Sequence, residues 1–313
     1  MFYHKSKGIL FISQTLNKYI YLILTIHLLP MRNALLVPTD FSENAWTALN
    51  YAVHLAERFQ WNIQVLHVYQ SFGNLLASAE FNDAVSLHSH DEAEKQMADL
   101  NERIKKHFPD ASISTACMAG SLNDVIQEMI LNSPIQFIVM GTKGASGLKH
   151  VALGSNTYEV IQHSPIGVLA VPDTYQQFKL QKLGLLTNFK PAELELLSEF
   201  IQRTSSSFDL ALLHVSEGDA FPSQEDVLFW QDQILKTFEL NKVTYHSKEM
   251  VNRIDVNEPI TKCVDQLIDE EEIDVLLVSF TRKSFFRRLF SRSLPKALAH
   301  HMKVPTYFRA IEK

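Results

Sequence analysis

FIVMGTKGASGLKHVALGSN, Phe137 to Asn156, is the stretch whose reading decides the fold. It continues an apolar run, Ile135–Met140, that is too short for a free-standing helix and branched enough for a buried strand. The strand stops at Gly141. Gly144 and Gly154 follow, then Ser155 and Asn156, and Ser155–His163 reads as a helix ending before Pro165. The order is therefore strand, glycine-punctuated loop, helix. A loop feeding a helix N-terminus presents unpaired N–H groups and the positive end of the helix dipole, a combination that binds phosphate. Glycines admit positive φ and let the backbone approach a ligand closely. Lys143 and Lys149 add cations. The stretch is neither a Gly-Lys-Ser/Thr P-loop nor a Gly-x-Gly-x-x-Gly turn. Spacing alone leaves two readings level: a phosphate-binding loop, or a plain loop followed by a capped helix.

Outward from this stretch, the chain has room for two domains: 313 residues, 46% hydrophobic and 20% charged, is a globular balance. A net charge of −6 argues against a general nucleic-acid coat. Cys117 and Cys263 lie far apart, which excludes a disulfide framework and a cysteine-built zinc site and fits a reducing cytoplasm. The first thirty residues contain an apolar segment broken by Gln14, Asn17, Lys18 and His27. It lacks the clean core and cleavage site of a signal peptide, and Tyr19–Leu29 is too short to span a bilayer. The expectation is that Met31 opens the folded chain and that residues 1–30 are a non-native or disordered extension, with an interfacial anchor as the alternative.

From Met31 on, strand and helix alternate. Strands are expected at Asn33–Pro38, Asn62–Val68, Ser112–Met118, Ile135–Met140 and Ile166–Val171. Helices are expected from Ser42 to about Phe59, Asp83 to His107, Ser121 to Leu131 and Ser155 to His163. Asp40 or Ser42 caps the first helix, with Glu43 completing a capping box. Such alternation gives parallel pairing, right-handed crossovers and a doubly wound sheet covered on both faces.

The pattern then restarts. Leu185-Leu186-Thr187-Asn188-Phe189 lies under Val37-Pro38-Thr39-Asp40-Phe41 at an offset of 148, and Leu213-His214-Val215 under Leu66-His67-Val68 at 147. Asp274–Ser279 follows Gln136–Met140 at about 139, and Val304-Pro305 follows Ser164-Pro165 at 140. Four anchors in one order indicate an internal duplication, with domains at 31–173 and 182–313. The halves differ in chemistry. Asn188 stands for Asp40, Phe280 and Lys283 for Gly141 and Gly144, and Phe285 and Phe286 crowd the second loop. The second site is read as degenerate.

Gly141-x2-Gly144-x9-Gly154-Ser155 resembles the nucleotide-binding signature of the universal stress protein family, matched at all four signature positions. With the duplication, the resemblance covers Met31 to Phe308. It implies a tandem α/β protein with strand order 3-2-1-4-5 in each domain, and fifth strands, Ile166–Val171 and Lys303–Phe308, paired within one chain as a pseudo-dimer. A homodimer of whole chains is left open. It implies ATP, with or without Mg2+, held by Pro38, Thr39, Asp40, Val68, Met140, Gly141, Thr142, Gly144, Gly154, Ser155 and Asn156. It further implies a stress-response module that binds protein partners, with slow ATP hydrolysis or autophosphorylation at most.

No Ser-His-Asp arrangement or carboxylate pair can be assembled from local spacing, so no catalytic residue and no general base is named. His88 and His90 point to different faces and lack a third metal ligand; His67, His163 and His214 read as packing or capping residues. Glu159 reads as a cap for Asn156. The basic run Arg282–Arg292, interleaved with phenylalanines, reads as a solvated loop, the alternative being a patch for anionic lipid, polyphosphate or RNA. The rival functions are a nucleotide-independent interaction module and a slow ATP hydrolase of the adenine-nucleotide α-hydrolase-like group.

Overall fold

The computed structural model describes residues 33–70, 79–143, 153–217, 221–250, 252–253, 256–257, 260–281 and 302–311. The N-terminal thirty residues, Gly144, Lys149 and the Arg282–Arg292 run lie outside the described residues.

The first half runs β1 (Ala34–Pro38), α1 (Glu43–Phe59), β2 (Asn62–Tyr69), α2 (Ala79–His107), β3 (Ile113–Ala119), α3 (Leu122–Asn132), β4 (Ile135–Gly141), α4 (Ser155–His163) and β5 (Val168–Val171). The second runs β6 (Lys182–Leu186), α5 (Pro191–Thr204), β7 (Asp209–Glu217), α6 (Gln224–Thr237), β8 (Lys242–Met250), a short hairpin of β9 (Asn252–Arg253) and β10 (Val256–Asn257), α7 (Ile260–Glu270), β11 (Val275–Thr281) and β12 (Thr306–Ile311). Ten strands form one sheet in the order β3-β2-β1-β4-β5-β12-β11-β6-β7-β8. Each half is parallel and, in its own numbering, reads 3-2-1-4-5 from its outer edge in to the junction. Only the junction is antiparallel, with Thr306 opposite Ala170, Tyr307 opposite Leu169 and Phe308 opposite Val168. The fifth strands thus pair within one chain as expected, each beginning two or three residues later than the sequence reading placed it.

Alternation along the strands supplies two cores. Leu35 and Val37 of β1 face α1 and α2, whereas Ala34 and Leu36 face α3 and α4. Both cores run across the junction: the first contains Leu35 and Leu183, the second Leu36 and Leu213. At the seam Phe137 of β4, Phe200 of α5 and Tyr307 of β12 form an aromatic triple with centroids 5.1–5.5 Å apart. The connection between the halves is anchored as well. Tyr175 and Phe178 pack on Tyr51 of α1, Arg58 donates to the Leu180 carbonyl at 2.7 Å, and Asp274 accepts from the amides of Gln181 and Lys182.

The duplication reaches the level of single hydrogen bonds. Phe41 and Phe189 both take positive φ, 63° and 57°, and each donates its N–H to the threonine hydroxyl two residues earlier. His67 and His214 both bind the carbonyl of that threonine through Nδ1, at 2.8 and 2.9 Å. One alignment needs correction. Leu36 pairs with Ile138 and Gly184 with Leu276, so Gly141 corresponds to Ser279 and not to Phe280. Strand pairing, which the short apolar runs could not fix to one residue, sets this register. No helix among the described residues is long and apolar enough to cross a membrane.

Candidate functional site

Beyond the carboxyl ends of β1, β2 and β4 the first half opens a cleft of about 370 Å³, at the place where open parallel sheets receive ligands and within the size range of small-molecule sites. The β1 end supplies Pro38, Thr39 and Asp40; β2 supplies His67, Val68 and Gln70; β4 supplies Met140, Gly141 and Lys143. Gly154, Ser155, Asn156 and Thr157 close it from the start of α4, and Gly120 and Leu122 from the start of α3. Of the eleven residues expected from sequence, nine line this cleft. Gly144 is outside the described residues. Thr142 is buried behind the lining: its N–H donates to the Val171 carbonyl, its carbonyl accepts from Gly154 N–H at 2.6 Å, and its hydroxyl reaches Asn44.

The β1–α1 turn is built locally. Thr39 N–H continues the sheet by donating to the Leu66 carbonyl. The Asp40 carboxylate accepts from Ser42 N–H at 3.1 Å, and the Ser42 hydroxyl accepts from Ala45 N–H as the helix cap. The expected capping box with Glu43 does not form. Glu43 is the first helical residue, two positions before the third where a capping-box carboxylate sits, and it takes a two-pronged pair with Arg103. Because the Thr39 carbonyl can only accept, His67 Nδ1 carries the proton there, and in the neutral ring Nε2 is an acceptor.

Two helix N-termini converge on the cleft. Neither Ser121 before α3 nor Gly154 before α4 provides a side-chain cap. The first-turn N–H groups of both helices therefore lack intrahelical acceptors, and both dipoles present their positive ends. The first turn of α4 carries no acid, whereas that of α3 carries Asp124. Lys143 lines the cleft, but its ammonium pairs with Asp173 at 2.6 Å. The sequence reading missed Gly120 and Leu122, although Gly120-Ser121 repeats the strand–glycine–helix signal of the fourth strand, and Gly120 takes φ 142°. Gln70 and Ala45 gave no sequence signal.

Other expected side chains stand apart. His90 Nδ1 of α2 meets the Tyr69 hydroxyl at the end of β2 at 3.0 Å, while His163 Nδ1 donates to the Glu159 carbonyl within α4. Glu159 does not cap Asn156, since the cap position belongs to Gly154. Among the described residues no cluster of His, Cys, Asp or Glu is placed to hold a metal.

At the equivalent place in the second half, Ala45 is replaced by Glu193. Its buried carboxylate accepts from the Thr187 hydroxyl at 2.5 Å and from the N–H groups of Asn188 and Lys190. Burial pushes the Glu193 carboxyl up from its ordinary value, against these hydrogen bonds.

The sequence model of the universal stress protein family matches residues 31–172. Universal stress protein YxiE of Bacillus subtilis is 31% identical over 147 residues, which cover 45% of this chain and 99% of that one. The chain belongs to the universal stress protein family. Universal stress protein MJ0577 of Methanocaldococcus jannaschii is 29% identical over 154 residues, 45% of this chain and 95% of its own. A solved universal stress protein from Archaeoglobus fulgidus covers 88% of this chain and 98% of its own, with a TM-score of 0.65 at 19% identity, a likeness of fold extending over both halves. The sequence relatives match one half-length stretch; the structural relative spans the tandem arrangement.

Proposed function

We propose that this universal stress protein binds ATP in the first-half cleft and acts as a nucleotide-responsive module for protein partners in the cytoplasm. The observation that carries this reading is the convergence of two uncapped helix N-termini, α3 and α4, on a cleft whose opposite wall bears Asp40 and Val68. The helix ends suit phosphate oxygens. Asp40 suits ribose hydroxyls, and the half-buried Val68 beside Met140 suits an adenine face. ATP, when bound, supplies the charge that the α4 N-terminus and Lys143 are placed to meet. Residues 31–173 form the nucleotide-binding domain in this reading. Residues 182–313 form its duplicate, where Glu193 puts a carboxylate against the amides of the corresponding turn and disfavours an anion. Cys117 and Cys263, which form no disulfide, suit a reducing compartment.

The test is the thermal midpoint of the whole chain with and without Mg-ATP, repeated with EDTA and with Gly144→Val. Binding to the folded state at a hundredfold excess over Kd stabilises by about 2.7 kcal/mol. A rise that the valine variant loses supports the reading, with one nucleotide per chain by titration calorimetry. No rise at millimolar ATP refutes it in favour of a nucleotide-independent interaction module, and turnover dependent on Asp40 would favour a hydrolase.

A further inference from the structure

Asn44 has no place in the expected ligand set, yet it is the side chain that ties α1 to the start of the glycine loop. It is the second residue of α1 and only 7% exposed. Its Oδ1 accepts from Lys143 N–H at 2.6 Å and from the Thr142 hydroxyl at 3.4 Å, while Nδ2 donates to the Val171 carbonyl at 3.3 Å. One amide thus joins the first turn of α1 to the ends of β4 and β5. The same contact accounts for Gly141. A Cβ there would stand 2.8 Å from both the carbonyl oxygen and Oδ1 of Asn44. Gly141 is therefore a glycine to admit Asn44, whatever the ligand requires.

From this junction the positioning reaches the cleft. The Thr142 carbonyl accepts from Gly154 N–H, and the Thr157 hydroxyl donates to the Gly141 carbonyl at 2.8 Å. Asn44 holds Thr142 and Lys143; the Thr142 carbonyl holds Gly154; and Gly154 is the cap residue of α4, whose N-terminus faces the cleft. The second half supplies an internal comparison. Asn44 corresponds to Ala192 there, and Gly141 to Ser279. Where the amide is missing, a Cβ is present, and so the pair has changed together.

We propose that Asn44 is the positioning residue for phosphate binding: it holds the Lys143 backbone and, through Thr142 and Gly154, the α4 N-terminus in place at the cleft wall where phosphate oxygens would sit. This rests on the nucleotide reading above. The side chain sits behind the cleft and is not itself expected to touch ligand. Its removal should cost phosphate contacts while sparing the nucleoside contacts at Asp40 and Val68, a selectivity that a merely structural asparagine would not produce.

The experiment compares wild type with Asn44→Ala and Asn44→Asp in two readouts. Calorimetric affinities for adenosine, ADP and ATP should show Asn44→Ala losing about 10-fold or more for ATP while adenosine changes less than about 2-fold. Amide hydrogen exchange without ligand should show Lys143 N–H losing protection in Asn44→Ala and keeping it in Asn44→Asp, which retains the acceptor. If Asn44→Ala does not fold, Asn44→Ser, whose hydroxyl is too short to reach Lys143, takes its place in both readouts. Equal losses for adenosine and ATP, or unchanged exchange at Lys143, overturn the proposal while the nucleotide reading stands. A wild type that binds none of the three nucleotides overturns the nucleotide reading itself, and this proposal with it.

Discussion

Replacing Gly167 by alanine puts a methyl group where another side chain already is. A Cβ on Gly167 would lie 1.8 Å from the Tyr307 hydroxyl oxygen, 1.9 Å from Cζ and 2.2 Å from Cε2. Normal carbon contacts need about 3.5 Å or more, so the ring or the strand must move by well over an ångström. The far end of a side chain can often swing away, but this ring cannot. Tyr307 is fully buried, with Phe137 and Phe200 packed edge-on at 5.2 and 5.1 Å and Glu199 accepting from its hydroxyl at 3.4 Å. If the ring stays, overpacking costs about 1–3 kcal/mol. If it is expelled, the lost burial costs about 3–5 kcal/mol. The gain from restricting the unfolded chain, about 0.4–1 kcal/mol, offsets little of either. We expect Gly167→Ala to destabilise by about 2–4 kcal/mol, read from the denaturant midpoint. The double-mutant cycle isolates the cause: in a Tyr307→Ala background the space is empty, and the alanine should then cost less than about 1 kcal/mol. Additivity of the two substitutions would refute the reasoning, as would a single variant within about 0.5 kcal/mol of wild type.

Arg103 stacks on Trp46 with its guanidinium carbon 3.9 Å from the ring centroid while pairing with Glu43. Arg103→Ala should therefore cost about 1 kcal/mol by thermal denaturation and Glu43→Ala only a few tenths, since the exposed ion pair is the weaker part. Burial pushes the Cys117 thiol from 9.0 up to about 11, so its thiolate is about 100-fold rarer near neutrality and alkylation by iodoacetamide should be slower than for a free thiol by a similar factor. Glu193 has a folded-state pKa above its ordinary 4.5, which means that the native state holds the proton more tightly. Its contribution to stability is then largest below 4.5 and falls as pH rises through the raised value. Stability of Glu193→Gln relative to wild type, followed by urea denaturation, should accordingly improve as pH is raised from 4 toward 7; a difference constant with pH would refute this.

The sequence disclosed the parts of this molecule that repeat with a period. Apolar runs of five to seven residues separated by amphipathic helices fixed the parallel α/β class, and Thr39-Asp40-Phe41 set against Thr187-Asn188-Phe189 exposed the duplication, because a positive-φ turn with a threonine acceptor is a local device. Contacts between distant segments left no such mark. Asn44 looked like an ordinary helix residue, and its role depends on Lys143 and Val171, 99 and 127 positions away. Register in the second half was one residue out at Ser279, for β11 is apolar on both faces and its alternation identifies neither. Gly167 carried no signal, since the ring that forbids its side chain comes from the last strand.

The way the duplicates are joined separates what the two halves share from where they differ. The two sheets are continuous and the two cores cross the junction, so neither half can be altered at β5 or β12 without disturbing the other. The strand ends beyond β1, β2 and β4, and beyond their counterparts, carry no such constraint. There the second half exchanges Ala45 for Glu193, whose carboxylate accepts from the Asn188 and Lys190 amides, where in the first half Asp40 accepts from Ser42 N–H. A buried acid that supplies its own hydrogen-bond acceptor makes the turn self-sufficient, which is what a half retained for its seam requires. The first half leaves the N-termini of α3 and α4 without side-chain caps, and in the nucleotide reading a bound anion takes up their first-turn N–H groups. The seam thus binds the halves into one body, and in the nucleotide reading the strand ends away from it decide which half takes a ligand.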